Sequence, residues 1–408
     1  MRSRRFIGVA VVLMMLLAAY AALPAGADSD KTEYVVLFKD SIDGKLINEN
    51  DGQVNKKYSA IPAAVAMLSA KDAKALEKSD KVVAVEPNYI YSIAKKPSGT
   101  PGNGGGGGGS TDQPPEVLPW GVDRIDAEEV WADAGTPSTG SGVTVAVIDT
   151  GIDKDHPDLA ANIIGGYNFV VKKGRLDTAA WDDDNGHGTH VSGTIAGIDN
   201  DIGVIGVAPD ASLYGIKVLN NRGMGYMSDV IDGILWAAEV NIGTAGSPDY
   251  IDVISMSLSG PSSSSLAAAV KTAYDAGIVI VAASGNDGYS SVSYPAAYPQ
   301  VISVGATDAS DKVASWSNYD SNLDLVAPGV SVYSTYKNGG YATASGTSMA
   351  CPHVSGTVAL LLASGVTPGN VLGTLKSTAD PLSSYDSKDG SGLVDAEEAV
   401  TGFETGDN

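Results

Sequence analysis

A chain of 408 residues exceeds the usual size of one domain, so two or three folding units are expected. Hydrophobic residues at 43% and charged residues at 18% supply a sizeable core and exclude a solvated, disordered chain. A formal net charge of -22 excludes nucleic acid as a partner, because phosphate binding rests on clustered Lys and Arg, and it makes hard cations the better match.

Arg2, Arg4 and Arg5 precede the apolar run Phe6 to Leu23, and Ala25-Gly26-Ala27 follows as a small-x-small cleavage site. Residues 1–27 therefore read as a secretory signal, with an extracellular product that keeps no membrane anchor after processing. The competing reading is an uncleaved anchor, since the run approaches the ~20 residues that span a bilayer. A secreted chain whose only cysteine is Cys351 forms no internal disulfide, so its durability rests on packing and bound ions.

Residues 28–94 form a small α+β unit. Tyr34 to Phe38 and Ala63 to Leu68 predict strands. Ser69 with Asp72 starts a helix that carries Ala73 and Leu76 on one face, and Val82 to Val85 and Tyr89 to Ile93 return to strand character. Residues 95–115, with six consecutive glycines from Gly104, form a flexible linker. From Glu116 to Gly402 strands apolar on both faces (Val143 to Ile148, Leu213 to Val218, Val253 to Met256, Ile278 to Ala282) alternate with helices near His190 to Ala196, Met227 to Val240 and Leu266 to Ala276. That pattern predicts an α/β fold, a parallel sheet flanked by helices on both faces, and residues 403–408 are a short polar tail.

Such a sheet places reactive groups in loops at the carboxyl ends of its strands. Val145 to Ile148 ends on Asp149-Thr150-Gly151, Asn185-Gly186-His187-Gly188-Thr189-His190 opens a helix on an imidazole, and Gly346-Thr347-Ser348-Met349-Ala350 opens another on a hydroxyl. Pro352, tolerated in a first turn, puts that last start close to Ser348. A serine hydroxyl is a poor nucleophile until an imidazole takes its proton, and a carboxylate holds the imidazole in the useful tautomer. Singly, each residue has an ordinary alternative: a turn acid, a helix-start hydrogen bonder, an N-cap.

Together these strings resemble the subtilisin-like serine proteases, or subtilases, over nearly all of Glu116 to Gly402. The resemblance is carried by Asp149-Thr150-Gly151, His187-Gly188-Thr189-His190-Val191-Ser192-Gly193 and Gly346 to His353. It implies a triad of Asp149, His187 and Ser348, and an oxyanion donor at Asn286 in Ala283-Ser284-Gly285-Asn286-Asp287-Gly288. It also implies that polypeptide substrates lie extended between Gly223-Met224-Gly225 and Ser257-Leu258-Ser259-Gly260, with Ser284 beside them and broad side-chain preference. Ca²⁺ is expected on Glu116, Asp158 and Asn200 with the carbonyls of Ile198, Ile202 and Val204. Asp182 to Asp184 and Asp324 are two further places for a cation. Residues 28–94 resemble the ferredoxin-like propeptide that assists folding and then inhibits the protease, released by self-cleavage near Ala94-Lys95. A monomer is expected.

His156, His190 and His353 read as structural, since no His-Glu-x-x-His spacing exists, and Cys351 reads as a small packing residue. An α/β-hydrolase esterase would need a second glycine where Ala350 stands and a histidine well after the serine. A noncatalytic relative on the same scaffold would lack one of the three catalytic residues.

Overall fold

Runs of apolar, largely β-branched residues without polar interruption are satisfied only where both faces of a strand are covered. Thr144–Asp149 is such a run, buried at every residue. The structure, a computed structural model, describes residues 30–93, 113–132, 135, 137–172, 174–241, 250–382 and 388–402. The signal segment, the glycine run, the Ala94-Lys95 bond and the polar tail lie outside them. Among the described residues no single helix is long and apolar enough to cross a membrane.

Thr144–Asp149 lies inside a seven-stranded sheet. The order is Leu325–Pro328, Val301–Thr307, Val279–Ala283, Val253–Met256, Thr144–Asp149, Ser212–Lys217 and Ile163–Asn168, with every neighbouring pair parallel. Alternate residues feed separate cores. Val145 and Val147 pack with Val191, Ile195, Val354 and Val358, whereas Ala146 and Ile148 pack with Val230, Ile234, Leu266 and Val270. Helices His187–Ala196 and Thr347–Ala363 therefore cover one face, and Met227–Val240 and Ser264–Asp275 the other.

The four expected strands and three expected helices are present, Val253–Met256 and Met227–Val240 at the expected ends and the others with ends displaced by up to three residues. Three more strands complete the sheet. Ile163–Asn168 carries two glycines and an asparagine, which weaken its strand signal, and it is held by pairing with Ser212–Lys217. Leu325–Pro328 is a short edge strand, where its terminal proline is tolerated. Pro352 needs a correction: the helix runs Thr347–Ala363, so the proline sits in the second turn rather than the first. The amide it lacks would have bonded Ser348 O, and Ser257 Oγ donates to that carbonyl instead at 2.9 Å.

The N-terminal unit runs strand Lys31–Phe38, helix Gly44–Glu49, strands Gln53–Lys57 and Ala63–Ser69, helix Ala70–Leu76 and strand Val82–Pro87. The strands pair antiparallel in the order Gln53–Lys57, Ala63–Ser69, Lys31–Phe38, Val82–Pro87, which is the ferredoxin-like arrangement. Ser69 caps its helix by accepting from Asp72 N at 3.2 Å. One face of this sheet packs Val36, Phe38, Ala64, Ala66 and Leu68 on its own helices. The other face presents Val35, Leu37, Ala63 and Val65 to the core containing Met227–Val240 and Ser264–Asp275.

Polar contacts fix that docking. The Glu86 carboxylate accepts from Ser264 N at 2.6 Å and Ser265 N at 3.1 Å, at the start of helix Ser264–Asp275, where free amides and the helix dipole favour an anion. Lys56 pairs with Asp232, and Asn88 exchanges hydrogen bonds with Ser228.

Candidate active site

Asp149 ends its strand fully buried, and its Oδ1 accepts from Thr150 N at 2.7 Å. His187 Nδ1 lies 2.8 Å from that oxygen and 3.0 Å from Oδ2. An ionised carboxylate only accepts, so Nδ1 carries the proton and the neutral ring keeps its lone pair at Nε2. His187 is the first residue of its helix, preceded by Gly186 at φ 112. A side chain at 186 would be strained in that left-handed conformation and would also strike Tyr336, within 2.3 Å of a Cβ.

Burial disfavours the charged imidazole, but the Asp149 charge and hydrogen bond and the charge of Asp183 outweigh it, and the His187 pKa is raised above its ordinary value. His190 and His353 are buried without such partners and are pushed down to about 4, so they stay neutral. One ring nitrogen of each meets a backbone carbonyl, Ala342 O at 3.1 Å and Met349 O at 2.8 Å, while His190 Nδ1 and His353 Nε2 are buried without a partner among the described residues, and His156 meets Gly340 O at 2.8 Å. Cys351 is wholly buried, and burial pushes its thiol up to about 11, leaving it protonated and inert.

Ser348 is the second residue of its helix, and its Oγ donates to Ser257 O at 3.2 Å rather than to His187. Asn286 follows the strand Val279–Ala283. Its Oδ1 accepts from Thr347 N at 2.8 Å and Thr347 Oγ1 at 2.9 Å, which fixes the amide with Nδ2 turned the other way. That Nδ2 is buried and has no acceptor among the described residues. It borders the serine turn, 3.3 Å from where a Cβ on Gly346 would stand, and Ser348 N is 3.6 Å from the same point. A buried, unsatisfied amide beside a second backbone N–H is costly unless an oxygen arrives to fill it. The sequence pointed to Asn286 but not to Thr347, whose part in orienting it appears only in the folded turn.

Strand Ile90–Ile93 occupies the groove between the two expected edges. It pairs antiparallel with Met224–Tyr226 through Ile90↔Tyr226, Tyr91↔Gly225 and Ser92↔Met224, and Ile93 N donates to Gly223 O at 3.0 Å. On the other side Ile93 faces Leu258 and Ser92 faces Ser259. Gly260 leaves room for Tyr91, whose ring would lie 2.6 Å from a Cβ there. Ser257 lies behind this edge, and Ser284 is buried with its hydroxyl on Asn318 O at 3.1 Å.

The residues expected at the ion site also converge. Glu116 Oε2 accepts from Asn200 N at 2.8 Å, Asn200 Nδ2 donates to Asp158 Oδ1 at 3.2 Å, and Val204 N donates to Asp158 Oδ2 at 2.9 Å. Ile202 N donates to Asn200 Oδ1 at 3.1 Å, and Ile198 N to Asp158 O at 3.2 Å. Pro114 O accepts from Gly203 N at 2.9 Å, so this unit is tied down two residues before Glu116, within the expected linker. Burial pushes the Asp158 carboxyl up to about 7, and the Glu116 charge adds to the rise. Glu116 and Asp158, on either side of Asn200, supply the oxygen chemistry that a hard cation takes, but they meet nitrogen donors here, and among the described residues no group of three or more His, Cys, Asp or Glu gathers to hold a metal ion.

The two other cation candidates are used by the protein itself. Both Asp183 oxygens accept hydrogen bonds, Asp184 pairs with Lys217 at 2.6 Å, and Asp324 pairs with Lys376 at 3.1 Å while accepting from Ser303 N at 3.0 Å.

A parallel α/β sheet that brings an acid at a strand end, an imidazole and a helix-start serine to one rim is the arrangement of a subtilisin-type serine endopeptidase. Residues 140–398 match the Subtilase family, and the chain belongs to it. It is 39% identical to Subtilisin NAT of Bacillus subtilis subsp. natto over 401 residues, covering 94% of this chain and 95% of that one. Subtilisin BL of Lederbergia lenta is 48% identical over 288 residues, 70% of this chain and 99% of its own. An alkaline protease of Alkalihalobacillus alcalophilus is 42% identical over 348 residues, 84% and 80% of the two chains. The chain is a serine endopeptidase, a hydrolase.

Proposed function

We propose that the chain is the precursor of a secreted, broadly specific endopeptidase in which Asp149, His187 and Ser348 form the triad, and that residues 28–94 are its propeptide and inhibitor. The observation that carries the reading is the strand Ile90–Ile93, a segment of this chain held in the groove as an extended peptide. It ends opposite Leu258, next to the Ser257 carbonyl on which Ser348 Oγ rests. Ser348 Oγ leaves that carbonyl for His187 Nε2, gives up its proton and attacks the peptide carbon. The oxyanion takes hydrogen bonds from Asn286 Nδ2 and Ser348 N, and the imidazolium formed is stabilised by Asp149 before it protonates the leaving amine. Water then repeats the sequence on the acyl-serine. Because Gly223, Gly225 and Gly260 offer backbone rather than side chains, affinity comes from strand pairing, which favours broad specificity.

The test is labelling of Ser348 by a fluorophosphonate together with cleavage of denatured casein; a protein that folds but does neither overturns the reading. The base must be neutral, and Asp149 and Asp183 raise the His187 pKa, so kcat/KM should fall toward acid pH with a midpoint above ~6.5, the ordinary histidine value. A midpoint below that value contradicts the coupling to Asp149.

Glu116, Asp158, Asn200 and the carbonyls of Ile198, Ile202 and Val204 would hold Ca²⁺, which would neutralise the buried Asp158 and the half-buried Glu116 when bound. A carboxyl whose folded pKa, about 7, lies above its unfolded value destabilises the ion-free protein increasingly as pH climbs from ~4 to ~7, and an ion competes with that proton. EDTA should therefore lower the Tm by roughly 5–10 °C at pH 8 and by less at pH 5, and Asp158→Ala with Asn200→Ala should remove the difference. An equal Tm with and without chelator at pH 8 rules the site out.

A further inference from the structure

We propose that Asp183 is a positioning residue for His187: its buried carboxylate fixes the turn from which the catalytic imidazole projects and sets a negative charge near that ring in addition to Asp149. The inference rests on the triad reading above. Asp183 is 8% exposed and lies four residues before His187. Its Oδ1 accepts from Asn185 N and Gly186 N, both at 2.9 Å, and its Oδ2 accepts from Thr189 N at 3.0 Å and Thr189 Oγ1 at 2.6 Å. One carboxylate thus grips the backbone on both sides of His187.

The remaining amides of that helix start are also taken. His187 N donates to Asn185 Oδ1 at 3.1 Å, and Gly188 N donates to Thr150 Oγ1 at 2.9 Å. The last bond ties the turn to the residue after Asp149. Thr189 Oγ1 also accepts from Asp153 N at 3.0 Å, so Asp183 is linked to both loops that carry the acid and the base. Gly186, the formal cap, has no side chain to hold the helix, and Asp183 does it from three residues further back.

The charge matters separately from the grip. As Ser348 loses its proton the imidazole becomes a cation, and a buried carboxylate nearby stabilises that cation more than the neutral ring. Asp183 already favours the protonated ring in the resting protein, after Asp149. His190, neutral and buried, is the other titratable group coupled to His187. The outer groups of this segment are engaged elsewhere: Asp184 with Lys217, Asp182 Oδ1 with Lys154 N, Lys337 Nζ with Asp184 O, and the Tyr336 hydroxyl with Asn185 O.

The experiment measures kcat, KM and the pH profile of enzyme matured from the full chain for Asp183→Asn and Thr189→Val, and, as a control on the triad, fluorophosphonate labelling and casein cleavage by the His187→Ala full chain. Asp183→Asn should lower kcat roughly 10-fold or more with KM within about twofold, and should move the acid limb of kcat/KM to lower pH, since a charge that favours protonated His187 is gone. Thr189→Val, which keeps the charge but removes both hydroxyl bonds, to Asp183 Oδ2 and from Asp153 N, should lower kcat and leave the limb in place. An Asp183→Asn limb that does not move, or wild-type kcat in Asp183→Asn, overturns the proposal. Should Asp183→Asn not accumulate, wild-type kcat in Thr189→Val overturns it, and a reduced kcat with an unmoved limb supports it. Loss of activity in His187→Ala is expected in every case; its retention refutes the triad itself, whatever Asp183 does.

Discussion

The Ser348→Ala precursor should fold, keep its N-terminal unit and remain uncut, while the wild-type chain refolded with Ca²⁺ should acquire a new N-terminus between Ile93 and Ser98. On the proposed reading the chain would be its own first substrate. Ile90–Ile93 is held on both edges by backbone pairing, and its last residue faces Leu258, one residue from the carbonyl that holds Ser348 Oγ. The next peptide bonds along the chain are therefore the ones expected to be cut. Removing the hydroxyl deletes one hydrogen bond to Ser257 O and no apolar packing, so folding should survive. Loss of the nucleophile costs on the order of 10⁶ in kcat in subtilisins, and the same collapse is expected here. The excised unit should stay bound, because the Glu86 contacts, the Lys56–Asp232 pair and the shared apolar core do not depend on the cut bond. Help with folding has a topological reason. A parallel sheet joins segments distant in sequence and forms slowly, and a preformed surface against Met227–Val240 and Ser264–Asp275 would lower that barrier. Equal processing of Ser348→Ala, or a first cut between Glu33 and Glu86, would show this account of maturation to be wrong.

Asn286→Ala should leave a folded enzyme slowed roughly 10²–10³-fold in kcat, the loss known for removing this kind of oxyanion donor from a subtilisin. KM should change little, because the amide meets an oxygen that becomes fully charged only in the transition state. The substitution also deprives Thr347 N and Oγ1 of their acceptor, so some of the loss could arise from a loosened serine turn. Asn286→Asp separates the two effects. The carboxylate retains an acceptor for Thr347 but replaces the Nδ2 donor with an oxygen that repels the oxyanion. Activity should fall at least as far as in Asn286→Ala. Recovery of activity in Asn286→Asp would mean that Asn286 serves only to hold Thr347.

The short motifs were legible because their chemistry is local. Asp149 at the end of an uninterrupted apolar run, His187 after glycine and Ser348 before a helix carrying Pro352 announce strand ends and helix starts through backbone preferences alone. The parallel sheet followed from strands apolar on both faces, and the N-terminal unit from Ser69, Asp72 and the strands around them. The weaker strands did not announce themselves: Ile163–Asn168 is a strand because Ser212–Lys217 lies beside it, not because its glycines prefer one. Charge clusters were the least legible feature. In the sequence Asp182 to Asp184 are three equivalent acids open to a cation, but folding gives each a different task, with Asp183 turned inward onto the amides around His187 and Asp184 onto Lys217. The same holds for Asn286, whose free Nδ2 exists only because Thr347, sixty-one residues later, claims its oxygen. Residue type and local spacing determine which group can do which chemistry. Only the tertiary structure decides which donor is paired, which is left free and which charge faces the base, because those depend on partners brought together from distant parts of the chain.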